Sequence, residues 1–180
     1  MSKKQPYLLA MKGHPATGKS MLAQALAHRL AWPLVDKDDV KDYLVEIPSN
    51  VLDSNSLSYD IMWRIVETQL RLGVSVIVDS PLSYPVSYET AKNLSQRYHA
   101  QLIVLETQIA EDVWKERLAK RGRVAADNHR IHSWASMQEQ LRKYDGCFRY
   151  PIDVGRYIVV DTAQPVDELA GLVQRRIGVH

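Results

Sequence analysis

Residues 13–20 read "GHPATGKS", starting two residues after the short apolar run "YLLAM" and ahead of a stretch in which Leu22, Ala25, Leu26 and Leu30 share one helical face. The octapeptide satisfies G-x-x-x-x-G-K-[ST] at every fixed position, and a strand before it and a helix after it form the context that its chemistry requires. Gly13 and Gly18 permit backbone angles that turn successive amides inward, and the start of the following helix adds its positive end. The Lys19 ammonium can then reach the β and γ phosphates of a nucleotide, and Ser20 can set its hydroxyl on Mg²⁺. Pro15, Ala16, Thr17 and Met21 complete the loop and the first helical turn. His14 contributes backbone to this cradle, while its side chain reads as a variable loop position without partners.

A strand, a phosphate-gripping turn and a helix make the first two elements of a βαβ unit, and the rest of the chain continues the alternation. Apolar, partly β-branched runs at 7–11, 33–35, 74–78, 102–105 and 157–160 are short enough for buried strands. Between them lie helical patterns: Ile61, Ile65 and Leu72 on one stripe, and Val166, Leu169, Val173 and Ile177 on another. Strands separated by helices imply parallel crossovers and helices on both sheet faces, an α/β/α sandwich of three layers. At 180 residues, with no repeat or linker, the chain reads as one domain, 1–180. The least regular stretches are 46–58, 80–85 and 122–133.

Composition narrows the function. A formal net charge of +2 does not mark a nucleic-acid or membrane-surface binder, although it permits a local basic patch. The single cysteine, Cys147, excludes an internal disulfide and reads as an unreactive thiol in a reducing compartment. The basic start "MSKK" is followed by too few apolar residues for a signal peptide, and no stretch approaches the roughly 20 residues of a membrane span. These features predict a soluble cytoplasmic protein. No N-K-x-D guanine-reading motif is present, which argues against a GTPase.

The acids and arginines supply the remaining chemistry. "VDKDDVKDYL" puts Asp36, Asp38 and Asp39 where the second strand's carboxyl end feeds the crevice in which open parallel sheets bind ligands. A carboxylate there could deprotonate an acceptor hydroxyl or hold the water shell of Mg²⁺, or Asp38 or Asp39 could simply cap the next helix. "VIVDS" places Asp79 at the end of the third strand, where an acid supports Mg²⁺. In "WKERLAKRGR", Arg117 and Arg121 stand four apart and project from one helical face, with Arg123 just past the expected helix end. Their guanidinium groups can stack on adenine and clamp phosphate, ahead of a loop long enough to close as a lid over about 121–133.

Taken together, "GHPATGKS", "DKDD", "VIVDS" and "ERLAKR" resemble the P-loop kinases, small single-domain phosphotransferases that include gluconate kinases, chloramphenicol phosphotransferases, zeta toxins and the kinase domain of polynucleotide kinases. The resemblance spans nearly the whole chain. It implies a five-stranded parallel sheet in the order 2-3-1-4-5 with a helical lid, and ATP and Mg²⁺ as cofactors. It further implies that Asp38 activates the acceptor hydroxyl, with Asp36 as the rival and the doubled Asp39 beside it. Arg117 would match the lid arginine beside adenine, Arg121 the one that clamps phosphate, and the loop "DTAQP", which contains Ala163, the segment along the adenine edge. Where many relatives carry glycine, this chain has Ala16.

The expected activity is transfer of the γ-phosphoryl group of Mg-ATP to a hydroxyl of a small molecule. Candidate lining residues for the acceptor are Tyr43, Tyr59, Trp63, Arg64, Ser83, Tyr84 and Tyr88. Two alternatives stand beside it: a kinase for nucleic-acid 5′-hydroxyls, using the basic stretch 115–130, and a nucleotide-dependent binding module without chemistry. Near-neutral charge and the lack of an accessory domain argue against the first. The intact Lys19, Ser20 and Asp38 argue against the second.

Overall fold

A computed structural model describes residues 5–47, 53–124, 131 and 133–179. The chain runs β1 (Tyr7–Lys12), α1 (Lys19–Leu30), β2 (Leu34–Asp36), α2 (Lys37–Glu46), α3 (Ser54–Arg71), β3 (Val76–Asp79) and α4 (Pro85–Arg97). It continues through β4 (Gln101–Gln108), α5 (Glu111–Val124), α6 (Trp134–Tyr144), a 3-10 turn (Val154–Arg156), β5 (Tyr157–Asp161) and α7 (Val166–Ile177). The five strands pair in parallel in the order β2-β3-β1-β4-β5, as expected.

Strand alternation divides the core in two. Tyr7, Leu9 and Met11 of β1 face α1 and α7, where they meet Leu22, Leu26, Leu169 and Val173. Leu8 and Ala10 face the other way, onto Met62, Val66 and Leu70 of α3 and Ala91 and Leu94 of α4. Side chains two apart on a strand share a face, so β1, central and buried along its whole length, needs apolar residues at every position and has them up to Met11. The carboxyl ends of β1, β2 and β3 therefore open on one edge of the sheet with α1, α2 and α4 rising from it. Among the described residues no helix is long and apolar enough to cross a membrane.

Three local expectations differ from the structure. The buried stripe of α3 is Ser58, Met62, Val66 and Leu70, flanked by Trp63, whereas Ile65 and Leu72 are 40% and 66% exposed. An uninterrupted four-residue ladder seats α3 better on the sheet than three isoleucine or leucine positions that drift around the helix. Residues 54–58, expected to be irregular, form the first turn of α3 because Asp53 accepts the amides of Asn55 and Ser56 at 3.0 and 3.3 Å. Finally, α5 continues to Val124, so Arg123 lies inside the helix.

Candidate active site

The loop between β1 and α1 is held from three sides. The Gly13 amide donates to the Pro81 carbonyl at 3.2 Å, the Trp114 indole N–H to the Pro15 carbonyl at 2.7 Å, and the Thr162 hydroxyl to the Thr17 carbonyl at 2.7 Å. Thr17 adds a bond to the His14 carbonyl at 2.7 Å and shares one with the Thr107 hydroxyl at 2.8 Å. Gly13, at φ +148°, leaves no room for a side chain, since a Cβ there would lie 2.4 Å from Thr107 Oγ1. Ala16 adopts φ 63°, the left-handed conformation for which a glycine is better suited.

Gly18 caps α1 without a side-chain bond, and the first turn carries no acid. The amides of Lys19, Ser20 and Met21 thus meet an open end of the helix dipole, where an anion is stabilised. Lys19 is buried, and burial holds its pKa below the ordinary lysine range, against the opposing pull of Asp79, Asp38 and Asp36 and with the repulsion of Arg121. An ammonium so placed gains from the arrival of a polyphosphate.

Asp36 and Asp79 end neighbouring strands and stand opposite each other in register. The helix cap expected of Asp38 or Asp39 belongs instead to Asp36, whose Oδ1 accepts the Asp38 amide at 2.8 Å. Burial and the facing Asp79 raise the Asp36 carboxyl to about 6. Asp38, one residue into α2, lies 3.0 Å from Lys37 Nζ and lines the cleft; Asp39 is exposed. Asp79 is buried, and its Oδ2 and the Ser80 hydroxyl have no hydrogen-bond partner. Unpaired buried oxygens that line the same cleft as Ser20 suit a hydrated Mg²⁺. Among the described residues no three His, Cys, Asp or Glu side chains form a metal cluster.

Arg117 donates to the Thr162 hydroxyl at 3.1 Å and to its carbonyl at 2.7 Å, which ties α5 to the turn after β5. Ala163 follows, exposed, with its amide on Asp161. Arg121 and Ile131 line the cleft. The rest of the expected lid, at 125–130 and 132, lies outside the described residues, as do the side chains of 122–124.

One cleft of about 1060 Å³ joins Pro15, Lys19, Ser20, Asp36, Asp38, Asp79, Arg117 and Arg121. Its far end takes in Tyr59, Trp63, Ser83 and Tyr84, as the sequence suggested. Three other candidates stand elsewhere. Tyr88 is buried against Tyr150, Tyr43 is 76% exposed, and Arg64 points to solvent beside Glu67. Sequence reasoning missed Tyr144 of α6, which accepts from the Ser83 hydroxyl at 3.0 Å and sits edge-on to Tyr84.

It also missed the surroundings of His14. Far from lacking partners, the imidazole stacks on Phe148, on Trp114 and, tilted, on Tyr144. Trp114 in turn meets Trp134 edge to face. Burial, with Lys12 and Lys19 nearby, pushes the His14 pKa down to about 4, so the ring is neutral. No local motif announces this cluster, because its members come from α5, α6 and the turn beyond.

The family described as AAA domain matches residues 8–144. No curated protein matches the chain. Among solved structures, a provisionally assigned kinase of Chloroflexus aurantiacus is 25% identical, with 96% of this chain and 99% of that one covered and a TM-score of 0.76. An APS kinase of Mycobacterium tuberculosis in complex with AMPPNP and APS is 13% identical over 96% and 98% of the two chains, TM-score 0.68. A gluconokinase of Sinorhizobium meliloti is 18% identical over 97% and 93%, TM-score 0.63. With its family matched over most of its length and its sheet order and phosphate loop in place, the chain belongs to the AAA domain family and has the fold of P-loop kinases.

Proposed function

We propose that this protein transfers the γ-phosphoryl group of Mg-ATP to a hydroxyl of a small molecule. The observation that carries the reading is the convergence of a buried lysine, an uncapped helix start, three carboxylates and two arginines on a single cleft that continues into a second, aromatic compartment. A module that only binds nucleotide has no need of that compartment.

In this reading the amides of Ala16 and of Gly18 to Met21, with Lys19, hold the β and γ phosphates, and Arg117, fixed by Thr162, sits beside the base. Mg²⁺, held by Ser20 and through water by Asp79, would neutralise phosphate charge. The acceptor oxygen attacks phosphorus in line, the bond to the bridging oxygen of ADP breaks, and the hydroxyl proton passes to a carboxylate. We assign that carboxylate to Asp38. Asp36 has one oxygen engaged by the cap and faces Asp79, so it stands on the metal side. Arg121 and Lys19 meet the charge on the transferring group.

The test is ADP release from Mg-ATP against pooled hydroxyl-bearing metabolites, nucleosides, antibiotics and short oligonucleotides, with Lys19→Ala as the blank. Stimulation of the wild type alone by one pool supports the reading. If ATP binds but no pool raises release above the blank, the protein is a nucleotide-dependent binding module.

A further inference from the structure

The two ends of the cleft differ in charge. At the nucleotide end the described lining cations are Lys19, Arg117 and Arg121. At the acceptor end they are Lys37 and Lys41, and they are outnumbered by Asp38, Asp42 and Asp60. Lys37 is itself engaged, 3.0 Å from Asp38 and 5.4 Å from the centroid of the Tyr59 ring. No arginine lines this end among the described residues. A phosphate, sulfate or carboxylate on the substrate would have to leave water for a compartment whose described residues offer no surplus of positive charge and no guanidinium fork.

The compartment offers ring faces and hydroxyls instead. Tyr59 and Trp63, one turn apart on α3, form one wall, and Tyr84 and Tyr144 form another, with their rings 5.8 Å apart and nearly perpendicular. Ser56, Ser87 and Thr90 add neutral hydrogen-bonding groups. Tyr84 is 45% exposed and Val86 70%, so a bound ring would cover apolar surface at the rim.

Resting on the kinase reading above, we propose that the acceptor is a ring-bearing alcohol without an anionic group, of the chemical kind of a nucleoside or an aryl glycoside, held between the tyrosine and tryptophan walls. Among the described residues nothing at this end compensates the charge of an aldonic acid or a nucleotide-type acceptor, so such acceptors should bind more weakly than neutral ones.

The experiment saturates the nucleotide end with Mg-AMPPNP and measures binding by calorimetry for matched pairs: adenosine against AMP, uridine against UMP, and phenyl β-glucoside against phenyl β-glucuronide. Turnover with Mg-ATP is followed separately. At least one neutral member is expected to bind ten times more tightly than its anionic counterpart. Tyr84→Ala, at an exposed position, should weaken that binding several-fold with AMPPNP affinity unchanged, as should Trp63→Ala if it folds. Val86→Arg should narrow the preference by admitting the anionic member. Equal or tighter binding of the anionic members, or no binding by any pair, overturns the proposal. Neutral binding without ADP release leaves a neutral ring-bearing ligand for the compartment and removes the kinase reading; turnover of an anionic member keeps the kinase reading and overturns the proposal.

Discussion

The His14 imidazole lies face to face with the Phe148 ring, their centroids 3.9 Å apart and their planes 26° from parallel. Lys12 Nζ is 3.2 Å from the centroid of that same ring and donates to the Phe148 carbonyl at 2.8 Å. The residue just before the phosphate loop and the one just inside it thus grip a single aromatic that follows α6. Through Trp114, which bonds the Pro15 carbonyl and meets Trp134, both ends of α6 touch elements that fix the loop. In the proposed reaction His14 would be a positioning residue for the nucleotide, since its stack holds the backbone of the loop.

His14→Ala should therefore destabilise the protein by about 2 kcal/mol, through lost stacking and a cavity. It should also raise KM for ATP several-fold with a smaller effect on kcat. His14→Phe keeps the stack, and recovery of both quantities is expected. Urea denaturation and steady-state kinetics of the two variants provide the check; an alanine variant with unchanged KM for ATP would show that the stack does not position the loop.

Two buried groups give opposite pH dependences. Burial lowers His14 from its ordinary 6.5 to about 4, so between those values the unfolded chain takes up a proton that the folded chain refuses. Its contribution is whole above pH 6.5 and is lost as the pH falls toward 4. Burial and Asp79 raise Asp36 from 3.8 to about 6, so here the folded chain holds the proton more tightly, and stability falls as the pH rises from 3.8 to 6. His14→Phe should gain on the wild type as the pH drops below 6.5. Asp36→Asn, which can still accept the Asp38 amide, should be the more stable protein at pH 7, with the advantage fading below pH 6. Denaturation midpoints from pH 4 to 8 measure both, and variant profiles parallel to the wild type would contradict the assignment.

The two small residues of the loop should respond in opposite directions. Gly13→Ala introduces a Cβ 2.4 Å from Thr107 Oγ1 and 2.9 Å from Thr17 Oγ1, at a φ of +148°. A loss of roughly 2 kcal/mol or more, with loss of ATP binding, is expected from the overlap and the backbone strain. Ala16→Gly relieves a left-handed alanine and should leave stability unchanged or raise it by up to about 1 kcal/mol. Denaturation and ATP titration of the pair would refute this if Gly13→Ala behaved like the wild type.

What could be read from the sequence depended on how local the cause was. The strand, loop and first helix follow from residues 7–30, because hydrophobic period, glycine freedom and the helix dipole all act within a few residues. Asp36, Asp38 and Asp79 were legible as strand-end acids. Which of them capped α2 was not, since a cap depends on where the helix starts to within one residue. Tyr59 and Trp63 line the cleft, although Trp63 is also part of the core, whereas Tyr88 of α4 lies in the same core cluster without reaching the cleft, a distinction that residue type does not carry. The His14 cluster needed the tertiary fold, because its partners are distant in sequence and each reads alone as an ordinary aromatic.

The division of labour between Asp36 and Asp38 gives the sharpest kinetic contrast. Asp38 lines the cleft in the first turn of α2, with a lysine at 3.0 Å. Asp36 is pinned by the cap and faces Asp79. Asp38→Asn removes the proton acceptor alone, so kcat should fall by about 10² to 10⁴, as for general bases elsewhere, while ATP affinity stays nearly unchanged. Asp36→Asn alters the charge beside the metal position, so its effect should depend on Mg²⁺ and shrink as the ion is raised. Single-turnover phosphoryl transfer and ATP titration across Mg²⁺ concentrations would distinguish the two. If Asp38→Asn keeps its turnover while Asp36→Asn loses it at every Mg²⁺ concentration, the proton goes to Asp36. If both variants turn over like the wild type, neither carboxylate is the base.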